Sequence, residues 1–140
     1  MAGNGLLVIP DISGFTTFVH RTEIDHSRLI IQELLETLIN ANSFDLEISE
    51  IEGDAILFYK YCDPPELPEI YRQVEAMFCA FHRNVIAYDA RRYCQCGACT
   101  GVSDLTLKVI THYGEFTGYN VRSFNKLIGR DIIVAHELLE

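Results

Sequence analysis

The chain is short of positive charge, of long apolar runs and of proline. Lysine and arginine number 11 against 20 aspartate and glutamate, for a net charge of -9. A phosphate backbone calls for a basic surface, so no nucleic-acid partner is expected, and neither is an anionic membrane surface. A nucleotide ligand is still allowed, because a metal held by carboxylates can supply the positive charge that phosphates require. No apolar run approaches the roughly 18 residues that span a bilayer, so no membrane segment is expected. Residues 1–10 lack any basic residue and hold only a short apolar stretch, Leu6 to Ile9, which does not read as a signal peptide. Five cysteines, an odd number, without an export signal point to the reducing cytoplasm and to thiols or metal ligands. Internal repeats and low-complexity segments are also lacking. Proline clusters only in Asp63-Pro64-Pro65-Glu66-Leu67-Pro68, which reads as a surface loop.

What is present is an ordinary globular composition in 140 residues, enough for one domain over 1–140 with a real core. Leu6 to Pro10 reads as a buried strand that ends at Pro10-Asp11, and Ser13-Gly14 breaks the chain before a short helix with Phe15, Phe18 and Val19. Leu29, Ile30, Leu34, Leu38 and Ile39 predict an amphipathic helix from Asp25 to Asn42, with Asp25 as its N-cap. Phe44, Leu46 and Ile48 alternate with polar residues as a strand does, Glu52-Gly53-Asp54 is a turn, and Ala55 to Tyr59 returns, so Asp54 sits at a hairpin tip. Ile70, Val74, Met77, Phe78, Phe81 and Val85 mark a second long helix ending near Asp89. A cysteine-rich loop follows, then a strand through Leu105, Leu107, Val109 and Thr111 closed by Gly114-Glu115. From Gly129 the chain looks helical and stops abruptly at Glu140, as a domain shortened at its C-terminus would. The order is that of an α+β, ferredoxin-like βαββαβ fold, an antiparallel sheet with helices packed on one face.

In that topology the first strand and the hairpin are neighbours, which sets Asp11 beside Asp54. Two adjoining carboxylates repel, and proteins keep such pairs where a cation sits between them or one is protonated. Magnesium suits a site of one or two carboxylates completed by water and substrate phosphates. The helix opened by Ser13-Gly14-Phe15-Thr16 offers free backbone amides to phosphate oxygens. The alternative is that both aspartates are solvated turn residues.

Asp11-Ile12-Ser13-Gly14-Phe15-Thr16 resembles the block that follows the first strand of class III adenylate and guanylate cyclases. Glu52-Gly53-Asp54-Ala55 resembles their Gly-Asp-Ala hairpin, Thr111-His112-Tyr113-Gly114-Glu115 their His-Thr-Gly-Glu strand end, and Ile128-Gly129 with Ala135 the start of their final motif. The chain also resembles an uncharacterised bacterial family of short cyclase-like proteins, in which similar blocks accompany a Cys-x-Cys-x-x-Cys loop. The cyclase resemblance implies that Asp11, Asp54 and the Ile12 carbonyl hold Mg²⁺ or Mn²⁺, and that Ser13, Gly14, Phe15 and Thr16 meet the phosphates of a nucleoside triphosphate. It implies that Glu50 and Lys126 occupy the purine-selecting positions. A carboxylate at Glu50 could accept hydrogen bonds from guanine, or Glu50 is simply an exposed strand residue. It also implies a site formed between two protomers, hence a homodimer or heterodimer. The Asn and Arg that stabilise the ribose and transition state in the family are here Ile133 and Glu137. The metal half of the site is kept and the nucleotide half is lost.

Cys94-x-Cys96-x-x-Cys99 gathers three thiols within six residues. They read either as a zinc site, with Cys62, Cys79, His82 or His112 as a fourth ligand, or as reduced thiols. Three functions are therefore expected, in order: a cyclase-fold domain that binds metal and a purine nucleotide without efficient cyclisation, a pseudoenzyme; an active nucleotidyl cyclase; and a thiol-metal (zinc) structural or redox protein on a cyclase scaffold.

Overall fold

The computed structural model of the chain describes residues 2–20, 23–91 and 101–139. Among the described residues the elements follow in the order β1 (Gly3–Ser13), α1 (Phe15–His20), α2 (Ile24–Asn40), β2 (Glu47–Glu52), β3 (Ala55–Tyr61), α3 (Leu67–Arg91), a 3₁₀ turn (Val102–Asp104), β4 (Thr106–Val121), β5 (Phe124–Ile128) and α4 (Arg130–Leu138). The sheet order is β2-β3-β1-β4-β5 and every pairing is antiparallel. This is the expected α+β, ferredoxin-like arrangement, extended by β5 and α4. No helix among the described residues is long and apolar enough to cross a membrane.

The central strand explains the apolar run. Leu6 to Ile9 are fully buried because β1 is covered on both faces. Leu6, Val8 and Ile12 point to one side, where Ile30, Leu34 and Leu38 of α2 and Met77, Phe81 and Val85 of α3 pack on them. Leu7 and Ile9 point to the other, against Ala55, Leu57, Phe116 and the Ile132 and Ala135 side chains of α4. The two long helices thus share one face as expected, and the short α4 covers part of the opposite one. Pro10 lies inside this central strand. Its registered pairs with β3 run from Gly5 to Val8 and resume at Asp11, so the residue without an N–H falls where the ladder on that side is interrupted.

Several boundaries differ from the sequence pattern. Helix α2 begins with Glu23 at its N-cap, and Asp25 lies in the first turn, where a carboxylate favours the helix dipole without capping. Ser27 Oγ donates back to the Glu23 carbonyl at 3.1 Å. Phe44 and Leu46 face the core but precede β2, because Asp45 takes a left-handed φ of 53° that breaks the extended chain. Strand β4 does not end at Gly114-Glu115. It pairs with β1 from Thr106 to Phe116, then leaves it and pairs with β5 from Thr117 to Val121. Buried Gln73 ties α3 to the connection between α2 and β2: its Oε1 accepts from the Ser43 amide at 2.9 Å and its Nε2 donates to the Ala41 carbonyl at 3.1 Å.

Candidate metal and nucleotide site

Strand period places Asp11 on the same face as Leu7 and Ile9, the side partly covered by α4. Its registered partner is Ala55, so Asp54 at the hairpin turn falls next to it. The Ile12 amide donates to the Asp54 carbonyl at 2.7 Å, which fixes the turn against the strand end. The Asp11 carboxyl is pushed up to about 6 by burial first, then by the charge of Asp54 and a hydrogen bond with it; the Lys108 ammonium opposes the shift. Lys108 Nζ stands 3.9 Å from Asp11 Oδ2 and also donates to the Leu139 carbonyl at the C-cap of α4. The sequence alone does not point to Lys108. Alternation along β4 separates it from Leu107 and Val109, but only the pairing Asp11 with Lys108 reveals its neighbour.

Two carboxylates forced together in a half-buried place form a donor set that fits a hard divalent cation. The Ile12 side chain is buried in the core on the other face. Ser13 pairs with Thr106, and Gly14 follows with a φ of 89° and its backbone close to the Asp104 carbonyl, 3.3 Å from where a Cβ would lie. The Phe15 ring lies against Gly53, so the first sequence block touches the hairpin block. Thr16 is exposed at the start of the six-residue α1.

The third block has a different task. His112 Nε2 bonds Asp131 Oδ1 at 2.8 Å, and the Glu115 amide donates to Asp131 Oδ2 at 2.8 Å. These bonds hold the Asp131 carboxyl below its usual range. A Cβ on Gly114 would lie 2.2 Å from Asp131 Cγ, so the glycine makes room for this carboxylate. His112, Gly114 and Glu115 thereby dock the first turn of α4 onto β4. Farther along α4, Ile133 and Glu137 are exposed.

Glu50 on β2 and Lys126 on β5, 76 residues apart, form an ion pair with each other. Beside them lies a cleft of about 280 Å³ lined in part by Ser49, Tyr59, Tyr61, Asn120 and Asn125. Cys94, Cys96 and Cys99 lie outside the described residues. Of the fourth ligands considered for them, His112 is engaged by Asp131 and His82 Nδ1 by the Phe78 carbonyl, while Cys62 is half-buried and Cys79 exposed. Among the described residues no three His, Cys, Asp or Glu side chains converge as metal ligands.

A family model described as "Protein of unknown function (DUF2652)" matches residues 31–140. The uncharacterized protein Rv2561/Rv2562 of Mycobacterium tuberculosis is 28% identical over 117 residues, covering 77% of this chain and 50% of that protein. The chain therefore spans half the length of this relative. Among solved structures, a bacterial light-regulated adenylyl cyclase superposes with a TM-score of 0.73 at 12% identity, over 99% of this chain and 40% of that one. The guanylyl cyclase Cya2 gives 0.68 at 14%, over 98% and 69%. A non-canonical dimeric guanylyl cyclase domain of the RhoGC fusion protein from the aquatic fungus Blastocladiella emersonii gives 0.65 at 15%, over 98% and 74%. At these identities the likeness is one of fold.

Proposed function

Taking as premise that the chain belongs to the DUF2652 family and has the fold of adenylyl and guanylyl cyclase domains, we propose that it binds a divalent cation and a purine nucleoside triphosphate without efficient cyclisation. The observation that carries this reading is the pairing of Asp11 with Asp54 in a half-buried place, where burial first and then the neighbouring carboxylate drive the Asp11 carboxyl up to about 6. A Mg²⁺ or Mn²⁺ ion shared by the two carboxylates, with the Ile12 carbonyl as a third ligand, would relieve that repulsion and supply positive charge for phosphates. Lys108 adds a second cation beside Asp11. Backbone from Ser13 to Thr16 is the segment assigned to the phosphates, and Glu50 and Lys126 are the side chains assigned to the purine.

Weak catalysis follows from α4. Ile133 cannot hydrogen-bond a ribose, and Glu137 brings negative charge where a triphosphate transition state needs positive charge. Loss of such stabilisation costs on the order of a hundredfold or more in rate. A dimer, with the site completed across two chains, and a cytoplasmic setting belong to the same proposal.

The test is a thermal-shift titration with GTP and ATP, each with and without Mg²⁺ or Mn²⁺, followed by assay of the same samples for cyclic product. A metal-dependent rise in Tm that disappears in the Asp11→Ala/Asp54→Ala double variant, without product, is the expected result. Equal protection of the double variant would overturn the site. Rapid product formation would overturn the inefficient-cyclase reading.

A further inference from the structure

Strand β5 holds to the molecule by one backbone ladder. It is the last strand of the sheet, paired with β4 between Thr117 and Val121. Strand β2 is the strand at the other end. The sheet nevertheless curls so far that its two outermost strands meet, and Lys126 Nζ donates to the Glu50 carboxylate. Apolar packing along the β4–β5 arm is thin. Leu127 packs on the core, whereas Tyr119, Val121, Phe124 and Ile128 are exposed. The cleft of about 280 Å³ lies between the arm and the β2–β3 hairpin, with Ser49, Tyr59 and Tyr61 on one wall and Tyr119, Asn120 and Asn125 on the other. Lys126 also feels Glu52 and Tyr119, but the Glu50 hydrogen bond is the main cause that raises its ammonium above the ordinary lysine value.

We propose that Glu50 and Lys126 form a salt-sensitive latch that holds the β4–β5 arm against β2 and closes this cleft. Both side chains reach solvent, so dissolved ions screen the pair. An arm tied by one ladder and few apolar contacts opens by local unfolding without loss of the rest of the sheet. While the latch is shut, the two groups are bonded to each other, and a solute entering the cleft and binding either must displace its partner. The latch stands on the ion pair and the sheet geometry alone. Its bearing on a nucleotide rests on the function proposed above, where the same two side chains meet the purine.

The experiment is hydrogen exchange followed by mass spectrometry on the full chain, without metal or nucleotide, so that its failure is separate from failure of the nucleotide reading. Peptides spanning residues 117–128 are compared at about 20 mM and about 500 mM NaCl, Debye lengths of roughly 20 and 4 Å. Hydroxyl-radical labelling of half-buried Tyr59 reports the cleft in the same samples. Lys126→Met and Glu50→Gln are expected to speed exchange of the arm about two- to fivefold at low salt. The native chain should show a similar rise on adding salt, the variants should not, and the Glu50→Lys/Lys126→Glu exchange of charges should restore protection. Tyr59 labelling should follow the arm. Unchanged exchange in the single variants would overturn the latch. So would a charge-exchanged pair that stays as open as the singles, or loss of protection that extends through β1.

Discussion

Lys108 and Asp11 face each other across the β1–β4 ladder, 3.9 Å from ammonium to carboxylate, with Asp54 on the far side of Asp11. Burial first, and then the charge of Asp54 that the single ammonium does not offset, raise the Asp11 carboxyl to about 6 against an ordinary 3.8. A raised folded value means that the folded state binds its proton more tightly than the unfolded chain. Ionised Asp11 therefore lowers stability above about pH 6, and that cost fades as pH falls from about 6 toward 3.8. Asp11→Asn removes the cost. Without metal, the variant should be more stable than the native chain at pH 7.5 by on the order of 1 kcal/mol after solvent screening. The gap should close as pH drops through that window. Urea denaturation across pH measures it, and a variant less stable than native at pH 7.5 would contradict the assignment.

The docking of α4 supplies a second expectation. Asp131→Ala removes two hydrogen bonds, from His112 and from the Glu115 amide, and should cost about 1–3 kcal/mol. Gly114→Ala forces a methyl into the Asp131 carboxylate and should cost about 1–3 kcal/mol. Because both changes act on one contact, the double variant should lose clearly less than the sum. Strict additivity in denaturant titrations would show that the glycine serves some other need.

Gln73 should behave as a buried hydrogen-bonding strut. Gln73→Met keeps the volume but strands the Ser43 amide and the Ala41 carbonyl, for a loss of about 1–3 kcal/mol. Exchange of the Ser43 amide should rise with it. A variant of native stability would mean that water takes over both bonds.

Catalysis can be probed by restoring what α4 lacks. Ile133→Asn together with Glu137→Arg should raise cyclic-nucleotide formation with Mn²⁺ by on the order of a hundredfold, since donors and positive charge return to the transition state. Both positions are exposed, so stability should change little. No gain in rate while nucleotide still shifts the Tm would place the catalytic deficit elsewhere than in these two residues.

Much of the framework was legible because local patterns and tertiary needs agree. The four-residue spacing of Ile30, Leu34 and Leu38 announces a helix face, and that face is the buried one. The unbroken run Leu6 to Ile9 marks a strand covered on both sides. Legibility failed where the signal is a partner rather than a pattern. Strand β5 escaped notice because Phe124 to Ile128 is mostly exposed and carries no buried alternation. Gly114 looked like the end of a strand, since glycine often breaks one, but its missing side chain serves a carboxylate seventeen residues on. Asp25 looked like a cap because aspartate favours that role, yet the helix starts at Ile24, after Glu23 at the N-cap.

The site divides along the same line. The amino-acid sequence by itself determined the strand-helix order, one aspartate on the first strand and one at the hairpin turn, and the absence of hydrogen-bonding and cationic groups at Ile133 and Glu137, because these depend on residue type and local period. It did not determine that the first strand runs past Asp11 to Ser13. Only the tertiary structure decided that Lys108 stands beside Asp11, that Asp131 belongs to His112, and that Glu50 reaches Lys126. Those relationships are made by strand register, by the docking of α4 on β4 and by sheet curl, which bring together residues far apart in the chain and leave no trace in the pattern around either one.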